Sequence, residues 1–196
     1  MRRYTVAIDL DGVIWDLVTP WLAKYNEITG EHVDISDIKS YKIGDYVEHE
    51  GILNYILEVN NFWNEVKLYD DALTAIEKLK SCPELDLVIC TSTSYKIAQQ
   101  KISKLLELVP ILDEKDIVLT SRKELLDVHF MIDDYENNLK RMANGNKGVA
   151  ILIDRPYNKS FPNSTYGILR KGSLLETADS IIDYIEGQKE MIRKFS

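Results

Sequence analysis

Two aspartates one residue apart, Asp9 and Asp11, follow directly on the apolar run of residues 5–8, and Gly12 comes next. Carboxylates held that close repel each other unless a cation or a proton sits between them. A continuously apolar, β-rich run suits a strand buried on both faces of a parallel sheet, and the carboxyl ends of such strands are where open α/β sheets bind ligands. The plainer reading of the same residues is a helix N-cap followed by an Asp-Gly turn. Three more tips carry chemistry. Thr91 and Ser92 close the apolar run 85–90, Lys123 follows the run 116–120, and Asp133 and Asp134 close the run 128–132. Carboxylates that gather without enough basic partners imply a hard cation, and oxygen donors suit Mg2+, which shares its shell with a substrate phosphate. With Lys123 and a hydroxyl to cradle the remaining oxygens, the chemistry is phosphoryl transfer.

These tips meet only if the strands lie side by side. From Asp70 onward the chain alternates strand and helix patterns with short connections, which predicts a parallel sheet with right-handed crossovers. Helix stripes run through Ala72, Ala75, Ile76 and Leu79, through Ala98, Ile102, Leu105, Leu106 and Val109, through Leu139 and Met142, and through Leu174, Ala178, Ile181 and Ile185. Residues 148–153 read as a further strand, and residues 155–166, with two prolines and two asparagines, as a surface loop. All the chemical tips then share one edge of the sheet.

Residues 13–69 differ in character. Trp15, Val18, Leu22 and Tyr25 suit a helix face ending near Gly30, and Ile52, Tyr55, Ile56 and Val59 suit another, with a polar loop between. This stretch predicts no strand. The expected organisation is an α/β core of residues 1–14 and 70–196, a three-layer Rossmann-like parallel sheet, with a small helical cap of residues 15–69 inserted after the first strand.

At 196 residues the chain can bury one domain with a modest insertion. A net charge of −8 with no Lys/Arg run disfavours long nucleic acid but not a small phosphorylated ligand. The apolar runs are too short for a membrane helix, and the first residues run straight into a core strand with no room for a signal peptide. Cys82 and Cys90 lack metal-ligand spacing and read as reduced thiols of a cytoplasmic protein. His32, His49 and His129 show no ligand spacing either. The oligomeric state, a homodimer included, is left open.

Asp9-Leu-Asp11-Gly-Val, the Thr91 hydroxyl after an apolar strand, the later Lys123 and the pair Asp133-Asp134 together resemble the four motifs of the haloacid dehalogenase superfamily of phosphatases, in order and across almost the whole chain. More narrowly, Ile-Cys-Thr91-Ser92, Leu-Thr-Ser-Arg-Lys123 and Ile-Asp133-Asp134 are similar to the 5'(3')-deoxyribonucleotidases, which also insert a small helical cap after the first motif. The resemblance implies that Asp9 attacks phosphorus to form an aspartyl-phosphate, and that Asp11 protonates the leaving oxygen and then activates water. It implies that Thr91 and Lys123 hold the transferring oxygens, with Ser92 a further donor to phosphate. Mg2+ would be held by Asp9, the backbone carbonyl of Asp11 and Asp134, with Asp133 in support. The residues that follow Asp134, numbers 135–138, find no match in the narrower family, so no substrate contact is implied there. Phe62 and Trp63, late in the cap, either stack on a nucleobase or hold the cap helices together. Tyr41 and Tyr46 are weaker candidates, and Trp15 reads as core.

The expected activity is Mg2+-dependent hydrolysis of small (deoxy)nucleoside monophosphates. The nearest alternative is a phosphatase of the same superfamily for another small phosphoester, such as a sugar phosphate. A phosphoacceptor signalling domain uses similar groups, but there the accepting aspartate ends a later strand, and here an Asp-x-Asp leads.

Overall fold

The structure, a computed structural model, describes residues 4–59, 61–144, 148–162 and 165–195. The first three residues, which the sequence reading joins to the opening strand, and residues 163–164 of its 155–166 loop lie outside them.

The first strand, β1 (Tyr4–Ile8), takes the centre of a six-stranded sheet. It pairs in parallel with β4 (Leu85–Thr91) on one side and β6 (Phe130–Asp133) on the other. Beyond β4 lies β5 (Ile117–Leu119), and beyond β6 lie β7 (Val149–Ile153) and β8 (Leu169–Lys171), every pair parallel. The chain therefore works outward through β4 and β5, then returns to the far side of β1. That reversal opens a crevice at the carboxyl end of β1, where parallel sheets bind ligands.

Alternation along the strands assigns the two faces. Val6 and Ile8 join the cluster that holds Leu79 of α3 (Ala72–Ser81) and Ile181 and Ile185 of α6 (Leu174–Phe195). Ala7, Met131 and Leu152 face Leu139 and Met142 of α5 (Glu136–Asn144) on the other side. The result is three layers, as expected. Asp71, at the start of α3, accepts the Leu175 backbone N–H at 2.7 Å and ties α3 to α6. The last layer element, α4 (Ala98–Leu108), follows β4.

Between β1 and α3 run α1 (Val18–Thr29) and α2 (Glu50–Glu58), and Trp21 Nε1 of α1 donates to the Leu53 carbonyl of α2 at 2.7 Å. Three sequence expectations are corrected around them. The segment does hold strands: β2 (Trp15–Asp16) and β3 (Lys67–Leu68) pair antiparallel where the chain enters and leaves the helices. No local propensity announces them, because the pairing exists only once the two connections lie together. Trp15 accordingly stands outside α1, whose start is fixed by Asp16 Oδ1 accepting the Thr19 N–H at 3.1 Å and which tolerates Pro20 in its first turn. The stop at Gly30 is as expected, with φ +78°. The third correction concerns residues 155–166. Tyr157 and Asn158 are buried rather than on a surface loop, and β8 follows where no strand was predicted.

Among the described residues no helix is long and apolar enough to cross a membrane.

Candidate active site

Asp9 continues the β1 pairing, its backbone N–H donating to the Ile132 carbonyl at 2.8 Å, so its side chain leaves the sheet beside Asp133 and Asp134. All three carboxylates are buried, and each offers an oxygen within 4.8 Å of the others. Lys123, itself buried, lies 2.6 Å from Asp9 Oδ1 and 2.8 Å from Asp133 Oδ2. Asp133 is otherwise saturated. Its Oδ1 accepts the Tyr135 N–H at 2.8 Å, and its Oδ2 also accepts from Asn138 Nδ2 at 3.1 Å. Asp134 differs: Tyr157 donates its hydroxyl to Oδ2, while the buried Oδ1 has no partner among the described residues.

The electrostatics follow from that crowding. Burial first, and then the charges of Asp133 and Asp11, push the Asp9 carboxyl up to about 7 against the pull of Lys123. Burial and the charges of Asp9 and Asp133 likewise raise Asp134 well above the usual carboxylate range. Burial alone would lower the Lys123 ammonium, but Asp9 and Asp133 outweigh it and its pKa is raised. One lysine cannot neutralise three buried carboxylates. A divalent cation with hard-oxygen preference fits this donor set, and the unpartnered Asp134 Oδ1 is the oxygen it would satisfy.

The other expected residues fall as follows. Thr91 ends β4, buried, within the same crevice. Asp11 lies two residues past Asp9, its Oδ1 accepting from Trp15 Nε1 at 2.7 Å and its Oδ2 from Lys101 Nζ. Ser92 is exposed, and it is its backbone carbonyl that meets Lys101, at 3.3 Å. Gly12 has φ +73° and lies so close to Asp134 that a Cβ would fall 2.1 Å from Oδ2.

A cavity of about 460 Å³ opens on Asp11, Gly12 and Asp134 and runs outward between the sheet and the inserted helices. Leu17, Val18, Trp21, Leu53 and Leu57 give it apolar walls, and Lys42, Glu50 and Asn54 are its polar members on the inserted segment. Tyr41 and Tyr135 close one side, their rings stacked 3.8 Å apart. Phe62 and Trp63 are not brought to this cavity. Both are 3% exposed in the core, where Trp63 lies 5.8 Å from Trp15 and donates Nε1 to the Leu57 carbonyl at 3.1 Å. They hold the inserted segment together. The aromatics at the cavity are Trp21, Tyr41, Tyr135 and Tyr157.

Tyr157, Asn158, Arg155 and Lys101 are among the residues at the site that escaped the sequence reading. Tyr157 and Asn158 reach Asp134, the latter through Nδ2 to the Asp134 carbonyl at 2.9 Å. Arg155 donates Nε to the Gly12 carbonyl and lies 3.9 Å over the Tyr69 ring, so it touches both connections to the inserted helices. Nothing local distinguishes these from a polar loop. Lys101 did leave a signal: it interrupts the buried stripe Ile97, Leu105 and Val109 at a spacing of four.

A sequence model of the family described as 5' nucleotidase, deoxy (pyrimidine), cytosolic type C matches residues 3–183. The chain is 33% identical to a 5'(3')-deoxyribonucleotidase of Clostridium acetobutylicum over 162 residues, which cover 82% of this chain and 87% of that one. It is 25% identical to a 5'(3')-deoxyribonucleotidase of Bacillus subtilis over 158 residues, covering 81% and 89%. Among solved structures, a haloacid dehalogenase-like hydrolase of Xanthomonas campestris matches with a TM-score of 0.60 at 14% identity, covering 93% of this chain and 96% of that one. A hydrolase of the same type from Bacillus subtilis, described as bound to magnesium, matches with a TM-score of 0.58 at 15% identity, covering 90% and 97%. Both share the fold described above.

Proposed function

This chain belongs to the deoxy (pyrimidine) cytosolic type C 5'-nucleotidase family and is a phosphoric monoester hydrolase of the haloacid dehalogenase type, and from that premise we propose that it hydrolyses (deoxy)nucleoside monophosphates through an aspartyl-phosphate on Asp9. The observation that carries the substrate class is the cavity, whose carboxylate end would suit a phosphate once a divalent cation balances its charge and whose long apolar and aromatic walls suit a flat, weakly polar body. A sugar phosphate would leave those walls unfilled and its hydroxyls unpaired against them.

In this reading residues 1–14 and 70–196 form the catalytic core and residues 15–69 a cap over it. Mg2+ would be held by Asp9, the Asp11 carbonyl and Asp134, with Asp133 keeping Lys123 and the loop in place. When bound, the ion neutralises charge on the phosphoryl oxygens. Asp9 attacks phosphorus, the bond to the ester oxygen breaks, and Asp11 gives that oxygen a proton. Asp11 then takes a proton from water, the water oxygen attacks phosphorus, and the bond to Asp9 breaks to release phosphate. Lys123 and the Thr91 hydroxyl hold phosphoryl oxygens throughout, where charge builds up. Gly12, with no side chain, lets the backbone approach the phosphate end of the cavity. A cytoplasmic address belongs to the same reading.

The test is phosphate release over a panel of deoxynucleoside 5'- and 3'-monophosphates, ribonucleotides and sugar phosphates, with Asp9→Asn as the blank. The expected result is highest kcat/KM on deoxynucleoside monophosphates and no turnover by the variant, whose volume is nearly unchanged. Equal activity on sugar phosphates would reject the substrate class, and an active Asp9→Asn would reject the mechanism.

A further inference from the structure

Lys101 is charged yet only 2% exposed, and the cycle above gives it no part. It sits on α4, on the helix face that Ile97, Leu105 and Val109 bury, and reaches back beneath the end of β4. An ammonium has three donors and no acceptor. Each finds a partner here: Asp11 Oδ2, Thr91 Oγ1 at 2.9 Å and the Ser92 carbonyl at 3.3 Å. Two consequences follow. Asp11 is gripped at both oxygens, by Lys101 from α4 and by the Trp15 indole from β2 at 2.7 Å, so its carboxylate plane is set by two separate elements. Thr91 Oγ1 accepts from Lys101, so its own proton must point away from the ammonium, where a phosphoryl oxygen can take it.

We propose that Lys101 is a positioning residue for phosphoryl transfer, pinning Asp11 beside Thr91 on the line along which Asp11 delivers its proton to the leaving oxygen. The inference rests on the phosphatase reading of the site. It also differs from what a purely structural lysine would do. A structural lysine is missed equally whichever ester is cleaved. A lysine that aims the proton donor is missed in proportion to the leaving group's need for a proton.

The experiment compares wild type, Lys101→Met and Lys101→Arg, with Mg2+ present, on p-nitrophenyl phosphate and phenyl phosphate. The first expels a phenolate stable enough to leave unprotonated, and the second does not. Lys101→Met keeps the stem's volume and is expected to lose about 100-fold in kcat/KM on phenyl phosphate, mostly in kcat, but under about tenfold on p-nitrophenyl phosphate. Lys101→Arg keeps the charge on a planar fork that cannot meet the three acceptors at once, and should show the same trend at smaller size. In an Asp11→Asn background Lys101→Met should widen the gap between the two esters no further. Should Lys101→Met fail to melt cooperatively, the ratio is read from Lys101→Arg alone. Equal losses on the two esters, or a gap that widens without Asp11, would overturn the inference and leave the phosphatase reading standing. A folded wild type that cleaves neither these esters nor any nucleotide overturns both.

Discussion

Gly12 shows how tightly single residues are constrained here. Its φ of +73° lies in the left-handed region, and a Cβ would meet Asp134 Oδ2 at 2.1 Å and the Tyr157 hydroxyl at 2.4 Å. An alanine there carries a backbone cost of about 1–2 kcal/mol, and the clash must also push Asp134 or Tyr157 aside. Gly12→Ala is therefore expected to lower Tm by several degrees. Displacing Asp134 by about 1 Å should cut turnover on the order of 100-fold. Thermal melts and kcat check both halves. Wild-type kcat in Gly12→Ala would mean that Asp134 does not need its present position. Asp133 and Asp134 look alike in sequence but differ in environment, since Asp133 is saturated by Lys123, Tyr135 and Asn138 while Asp134 keeps an oxygen with no partner among the described residues.

At the scale of elements, the turn at residues 155–158 does more than connect β7 to β8. Tyr157 donates to Asp134 Oδ2, Asn158 to the Asp134 carbonyl, and Arg155 to the Gly12 carbonyl. Tyr157→Phe removes the donor that orients Asp134 and little else. A partner of this kind is worth about 10–100-fold in metal affinity, so the Mg2+ concentration for half-maximal activity should rise by that factor while saturated kcat changes less. An unchanged Mg2+ requirement would show that the hydroxyl does not orient the carboxylate. This turn also marks the limit of what the sequence discloses. β1 and its aspartates were legible because a strand buried on both faces is one continuous apolar run, and its polar tip stands out against it. The same held for Thr91 and for Asp133-Asp134. Tyr157 and Asn158 were illegible because prolines and asparagines read as exposed turn, and only packing against a distant strand buries them. The β2–β3 pairing was illegible for the same reason, being two residues long and made of partners more than fifty positions apart. Phe62 and Trp63 carried the right residue types for stacking on a base, but they pack in the core, and the aromatics that line the cavity include Tyr41, a weaker candidate in the sequence, and Trp21, whose helical spacing from Val18 reads as core rather than as a cavity wall.

The molecule as a whole holds an unbalanced interior charge, and its stability should report it. Asp9, Asp133 and Asp134 are buried around one lysine, and the Asp9 carboxyl is raised from 3.8 to about 7. Between those values the folded, metal-free protein keeps a proton that the unfolded chain has already lost. Stability must then fall as pH rises across that window, with Asp134 adding to the fall in the same direction. Surface carboxylates such as Glu84, lowered by its bond from Lys189, act in the opposite sense, but their contribution is lost only as pH drops below the ordinary carboxylate range. In EDTA, Tm is accordingly expected to decline between about pH 5 and pH 7.5. Mg2+ held as proposed would bind the ionised carboxylates of the folded state alone, so it would compete with protons and stabilise mainly at the upper end. At about 100 times its Kd it adds about 2.7 kcal/mol, or roughly 5–10 °C for a chain of this size, whereas at pH 5 protons displace most of that gain. Melts in EDTA and in Mg2+ at both pH values decide the matter. A Tm in EDTA that is flat or rising across the window, or a Mg2+ increment no larger at pH 7.5 than at pH 5, would mean that the three carboxylates are not held together as described.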